Sequence, residues 1–193
     1  MRKYLVILLS LMLIFTLTAC TNADKDPGDV EIEDQNDNDD IDLDKNEKKE
    51  EVTLYFANET YMETGDESLK KVIPLKRVIE YTDIPLEEAV VRAIMDDDDI
   101  DYDENSEPGV KDLDTAFPDS VKLNNVTVKD KTAMVNFKGE GLAGGSLQEI
   151  LMIDQVVKTL LALDTVDKVQ FLIDGQEAET LMGHIEISEP FTE

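Results

Sequence analysis

VKLNNVTVKDKTAMVNF, residues 121–137, and SLQEILMIDQVVKTLLAL, residues 146–163, decide the fold between them. The first reads as a β-hairpin. Val126 and Val128 share a face on one arm, Ala133, Val135 and Phe137 share one on the other, and the chain reverses at Lys129-Asp130-Lys131. The second has the period of a helix, entered at Ser146 as its cap. Leu147, Ile150, Leu151, Ile153, Val157, Leu160 and Leu161 form its apolar face, with Met152 and Val156 beyond it. Only Gln148, Gln155 and Thr159 make a cleanly polar strip. A helix this apolar is buried against a sheet. The strip is the face left for solvent, which makes Gln148, Gln155 and Thr159 the candidate interaction surface.

Outward from this pair, Val169, Phe171 and Ile173 alternate as a strand that Asp174-Gly175 stops, and a last short strand is expected over 184–187. Upstream, residues 52–56 (VTLYF) are β-branched and aromatic, hence a strand. Residues 69–81 (LKKVIPLKRVIEY) are a second β-rich stretch, in which Pro74 implies an edge position or a break. Leu86, Ala89, Val90, Ala93 and Ile94 fall on one helical stripe, with Asp83 placed to cap it, Pro85 near its first turn, and Glu87, Glu88 and Arg92 facing away. The order β-β-α-β-β-α-β-β predicts an α+β sandwich, a mixed or antiparallel sheet carrying two helices.

The N-terminus carries an address. Arg2 and Lys3 precede an apolar run, residues 4–18 (YLVILLSLMLIFTLT), which ends at Ala19 and Cys20. A positive start, a short apolar core and a small residue before the cut are the parts of a secretory signal. The run is short for a membrane span and polar residues follow it at once. Leu17-Thr18-Ala19-Cys20 resembles the lipobox of exported lipoproteins. That resemblance implies diacylglycerol on the Cys20 thiol, cleavage before it, and a protein held at the outer face of the membrane. Two acyl chains anchor stably where one is marginal. Cys20 is the only cysteine, so no intramolecular disulfide can form.

Residues 20–51 follow as a lipidated cysteine and an acidic linker with almost no large apolar side chains, too poor in burial to offset the entropy of ordering. Like-charge repulsion extends such a segment. The folded domain is expected over 52–193. The formal net charge of the 193 residues is −27. Nucleic-acid binding requires the opposite sign, and so does docking on anionic lipid head groups. A second acidic block, residues 96–106, reads as a surface loop. Asp99, Asp101 and Asp103 imitate the opening of a calcium loop, but Glu104 and Val110 stand where that loop requires glycine and the closing glutamate.

Catalytic groups are few. His184 is the only histidine. As a general base it would pair with Asp174 or Glu186; as a structural residue it would bond backbone near the Gly175 turn, which is the favoured reading. Gly139-x-Gly141-x-x-Gly144 has dinucleotide-loop spacing without the surrounding β-α-β unit. No catalytic residue, metal site or cofactor is expected.

Gly144-Gly145-Ser146 with the helix after it, the segment from Val169 to Gly175, Thr180-Leu181 and Gly183-His184-Ile185 together resemble the GerMN domain. That family shows a GGS-like helix start, an F-x-I-D-G strand end and a T-L-x-G-H-x close. Leu54-Tyr55-Phe56 is similar to its first strand and residues 126–137 to its hairpin, with Lys131 where a turn glycine is common. The resemblance covers roughly residues 52–192. It implies a non-enzymatic extracytoplasmic module best known from spore formation and germination, with a fold similar to ring-building modules of secretion and sporulation channels. The well-known sporulation member carries two such domains, and this chain has length for one.

Two functions fit. The first is a lipid-anchored module for protein assembly or interaction at the envelope, with a protein partner there and homo-oligomerisation open. The second is a small-ligand or cation-binding lipoprotein serving a transporter or sensor. The scarcity of aromatic side chains and the absence of tryptophan favour the first.

Overall fold

The computed structural model describes residues 47–96, 100 and 113–192, all within one compact unit formed by residues 42–193. Cys20, the linker before residue 47 and most of the acidic block at 96–106 lie outside the described residues. Among the described residues six strands and three helices run in the order β1 (Lys48–Asn58), α1 (Glu59–Thr64), β2 (Val72–Tyr81), α2 (Leu86–Met95), β3 (Leu113–Asp114), β4 (Leu123–Lys129), β5 (Thr132–Phe137), α3 (Ser146–Leu161) and β6 (Lys168–Ile173). The α+β class is as expected. The strands divide into two three-stranded sheets, β2-β1-β3 and β4-β5-β6.

The hairpin forms where the sequence placed it. Asp130 and Lys131 both take positive φ (49° and 58°), the conformation of a two-residue turn that matches strand twist. β5 then runs parallel to β6. Parallel neighbours need a crossover, and α3 supplies it. Ala133, Val135, Phe137, Val169 and Phe171 are fully buried against Met152, Val156 and Leu160 of α3 in one core. Four phenylalanines cross this core in a row: Phe117 to Phe137 at 6.0 Å, Phe137 to Phe171 at 6.3 Å, and Phe171 edge-on to Phe191 at 5.6 Å.

In the other sheet, β1 pairs antiparallel with β2 along its whole length. It begins at Lys48, earlier than the apolar content at Val52 suggests, because charged pairs extend it: Lys49 meets Glu80, and the Tyr81 hydroxyl donates to Glu50. Pro74 lies in β2, an edge strand, as its missing N–H requires. The first turn of α2 departs from expectation. Its N-cap is Pro85, with no side-chain cap bond, and Asp83 instead takes a positive φ of 61°. The short α1 and β3 carry no sequence period long enough to read. No regular strand forms over 184–187, only a bridge between Thr180 and Glu186.

Candidate interaction surface

The polar strip of α3 does not face water. Gln155 and Thr159 are completely buried, and Gln148 is half-buried. The expectation of a solvent-facing strip is therefore corrected, and the reason lies in β1. One edge of β1 is taken by β2, while the other meets β3 only at Ala57 and Asn58. At Tyr55 the open backbone needs partners, since a buried unpaired amide or carbonyl costs about 1–3 kcal/mol. The Tyr55 N–H donates to Thr159 Oγ1 (3.0 Å), and Gln155 Nε2 donates to the Tyr55 carbonyl (3.3 Å). Gln155 Oε1 in turn accepts the Ala116 N–H at 2.6 Å. The strip acts as a surrogate strand along β1.

Glu87 and Glu88 also turn inward, against expectation. Glu88 holds Arg92 through Oε1 and accepts the Val126 N–H through Oε2 (3.2 Å), which engages the outer edge of β4. Glu87 accepts the Thr165 hydroxyl at 2.6 Å.

Glu149 is the most concentrated polar site and was not singled out in the sequence. It lies in the first turn of α3, fully buried. Its Oε1 accepts the N–H groups of Leu181 (3.0 Å) and Met182 (2.8 Å), and its Oε2 accepts the His184 N–H (2.9 Å) and lies 2.9 Å from His184 Nδ1. With a carboxylate oxygen as acceptor, Nδ1 carries the ring proton. The spacing Ser146-x-x-Glu149 is that of a capping box, yet Gly145 is the N-cap and the carboxylate reaches across to the loop. His184 therefore pairs with neither Asp174 nor Glu186, and its ring bonds a side chain where backbone was expected.

The C-terminal segment that Glu149 clamps covers the outer edge of β6. Val169 and Phe191 exchange both N–H···O bonds (2.9 and 2.8 Å), Gln170 Nε2 donates to the Ile187 carbonyl (2.9 Å), and Ile173 exchanges bonds with Gln176. The glycine loop is a packing device. The Gly139 N–H donates to Asp174 Oδ2, and a Cβ on Gly141 would lie 2.1 Å from the Ser120 carbonyl oxygen. An aspartate carboxylate occupies the donor that a phosphate would need.

Among the described residues no group of histidine, cysteine, aspartate or glutamate side chains is arranged to hold a metal, and no helix is long and apolar enough to cross a membrane. The clefts are open. One of about 500 Å³ lies between β1 and α3, with Tyr55, Asp154, Lys158 and Phe191 among its walls.

The model of the family Germane, described as sporulation and spore germination, matches residues 53–179. The chain belongs to the Germane family. The matched span runs from β1 through β6 to the start of the Glu149-clamped loop. Among solved structures, the first GerMN domain of the sporulation protein GerM from Bacillus subtilis is similar at TM-score 0.56 and 19% identity, over 74% of this chain and 97% of that domain. The tandem GerMN domains of the same protein match at TM-score 0.56 and 18% identity, over 75% of this chain and 46% of that one, so this chain spans about half of the tandem protein. A candidate lipoprotein from Clostridium perfringens matches at TM-score 0.43 and 19% identity, over 75% and 88% of the two chains. A search of curated proteins returned no match.

Proposed function

We propose that this Germane-family chain is a non-catalytic interaction module. In this reading lipid on Cys20 displays it from the outer face of the membrane, and it acts in protein assembly at the envelope during sporulation or germination. The observation that carries the reading is how its polar groups are used. Gln155, Thr159, Glu88, Glu149 and Gln170 are all bonded to backbone at strand edges or loops. The only histidine is tied into the same clamp. Such a molecule presents shaped β surfaces to partners. Family membership supports the process, and the signal with its Leu17-Thr18-Ala19-Cys20 end supports the anchor.

The test compares the wild-type chain with Cys20→Ser. Labelled lipid should mark only the wild type, and only the wild type should sediment with membranes. Crosslinking in those membranes should recover a defined envelope protein. Cys20→Ser protein that still carries lipid sinks the anchor. The small-ligand reading draws on the cleft beside Tyr55 and Phe191. It prevails if a ligand raises the melting temperature, a Lys158→Glu change abolishes that rise, and no surface variant loses a protein partner.

A further inference from the structure

Among the described residues the edges of β1 and β6 are closed by side chains or by the C-terminal segment, β4 is held at a single point, and β2 is the longest edge strand left open. β1 is covered by β2, β3 and α3, β6 by Phe191 and Gln176, and β4 is held at Val126 by Glu88. Among the described residues β2 pairs with β1 alone, so its outer edge has no strand partner.

The orientation of that edge follows from register. The Asn58 N–H donates to the Lys71 carbonyl at 3.0 Å, one step beyond the Ala57–Val72 pair. In an antiparallel ladder, hydrogen-bonded and non-hydrogen-bonded pairs alternate. Ile73, Leu75, Arg77, Ile79 and Tyr81 therefore turn their backbone groups toward β1. Val72, Pro74, Lys76, Val78 and Glu80 turn theirs outward. Pro74 falls on an outward position, where its missing N–H removes nothing from the β1–β2 ladder. Val78, at the middle of this edge, is the most exposed large apolar side chain described, at 60%.

We propose that β2 is a self-pairing edge, through which two copies of the chain join β2 to β2 antiparallel about a two-fold axis at Val78. The sequence of the edge selects both partner and register. Centred on Val78, the pairing sets Val78 against Val78 and Lys76 against Glu80 twice, and opposite charges across strands stabilise while like charges destabilise. Centred on Lys76 it would oppose two lysines, and centred on Arg77 two arginines. Centred on Ile79 it would set Val78 against Glu80. Only the Val78 register uses every outward N–H and C=O from Lys76 to Glu80 and leaves Pro74 outside that span. Lys49 already pairs with Glu80, and Lys76 with Glu51 at 3.5 Å. Pairing therefore builds an alternating row of Lys49, Glu80, the partner's Lys76 and the partner's Glu51, repeated by symmetry. A chain of net charge −27 repels its copies, and this charge-balanced edge is a surface on which two copies meet without that penalty.

This inference deepens the assembly reading and rests on it. Its test uses the full chain in its envelope, where Cys20 is the only native cysteine. Opposed residues of a hydrogen-bonded antiparallel pair have Cα atoms about 5.5 Å apart, within disulfide range. Under mild oxidation Val78→Cys should give a disulfide-linked dimer several-fold above wild type. Co-expressed Lys76→Cys and Glu80→Cys chains should give the mixed dimer, while either alone gives little. Lys76→Glu in the Val78→Cys background should lower the dimer yield several-fold, and adding Glu80→Lys should restore it. Val78→Cys dimer no higher than wild type, Lys76→Cys alone as efficient as Val78→Cys, or crosslinking of Val78→Cys to a different protein would each overturn the proposal. Failure here with an envelope partner still recovered would leave the assembly reading standing.

Discussion

The Tyr81 hydroxyl donates to the Glu50 carboxylate. That bond, then burial, then the charges of Glu50 and Glu87 push the Tyr81 pKa up to about 12 from its usual 10.0. A raised pKa means the contribution is fully present below pH 10 and is lost as pH rises toward 12. Lys49, raised by its hydrogen bond to Glu80, adds to the same loss above its usual 10.5. Phenolate absorbance, compared with that of a Tyr81→Phe variant, should show Tyr81 ionising only as pH approaches about 12, and Glu50→Gln should return it toward 10. If Tyr81 titrates at its usual 10.0, the strand extension before Val52 is not formed. Glu149 allows a second measurement at this scale. Glu149→Ala strands three backbone N–H groups and should cost about 3–5 kcal/mol, whereas His184→Ala loses only the ring bond and should cost under about 1.5 kcal/mol. Equal losses in denaturant melts would mean that the ring, rather than the backbone of the 181–184 loop, carries the clamp.

At the scale of elements, α3 is where sequence and structure part. Its length and its apolar face could be read from period alone, but its role as crossover could not: the β-α-β unit that the sequence reading finds lacking around the glycine loop is formed by β5, α3 and β6. The direction of its polar strip could not, because a strip facing water and a strip facing an open strand edge have the same composition. Gln155 and Thr159 lie four residues apart, one turn, which is the spacing needed to bond the carbonyl and the N–H of a single strand residue. Gln155→Leu keeps the volume but leaves the Ala116 N–H and the Tyr55 carbonyl unpaired. It should destabilise by about 2–4 kcal/mol, where a solvent-facing strip would lose almost nothing. Urea melts of Gln155→Leu and Thr159→Val decide between the two. The inward turn of Glu87 and Glu88 was hidden for the same reason: charged residues on a helix stripe are usually solvated, and only the neighbouring β4 backbone and Thr165 draw them in. The hairpin turn, the edge position of Pro74 and the stop at Asp174-Gly175 were legible because each rests on local backbone chemistry.

For the whole molecule the dominant property is charge, −27 on 193 residues. Self-repulsion opposes the compact state, while the ion pairs that favour it are mostly exposed. Lys76–Glu51, Lys131–Asp167 and Lys138–Glu140 each have both partners at least half exposed. Pairs of that kind contribute under about 1 kcal/mol and are screened by salt. The buried polar groups, Gln155, Thr159 and Glu149, act over hydrogen-bond distances that salt reaches poorly. Screening therefore removes more repulsion than attraction. Raising sodium chloride from about 10 mM to about 500 mM shortens the Debye length from roughly 30 Å to under 10 Å. The thermal midpoint should rise by a few degrees, and most of the gain should come at the low end of the range, where repulsion between distant carboxylates is still long-ranged. Sodium chloride should achieve this without any divalent cation, since diffuse screening needs no site. A midpoint that falls with salt would show that the surface ion pairs outweigh the net charge. A midpoint that responds to micromolar calcium but not to sodium would replace diffuse repulsion with a specific cation site and revive the ligand-binding reading.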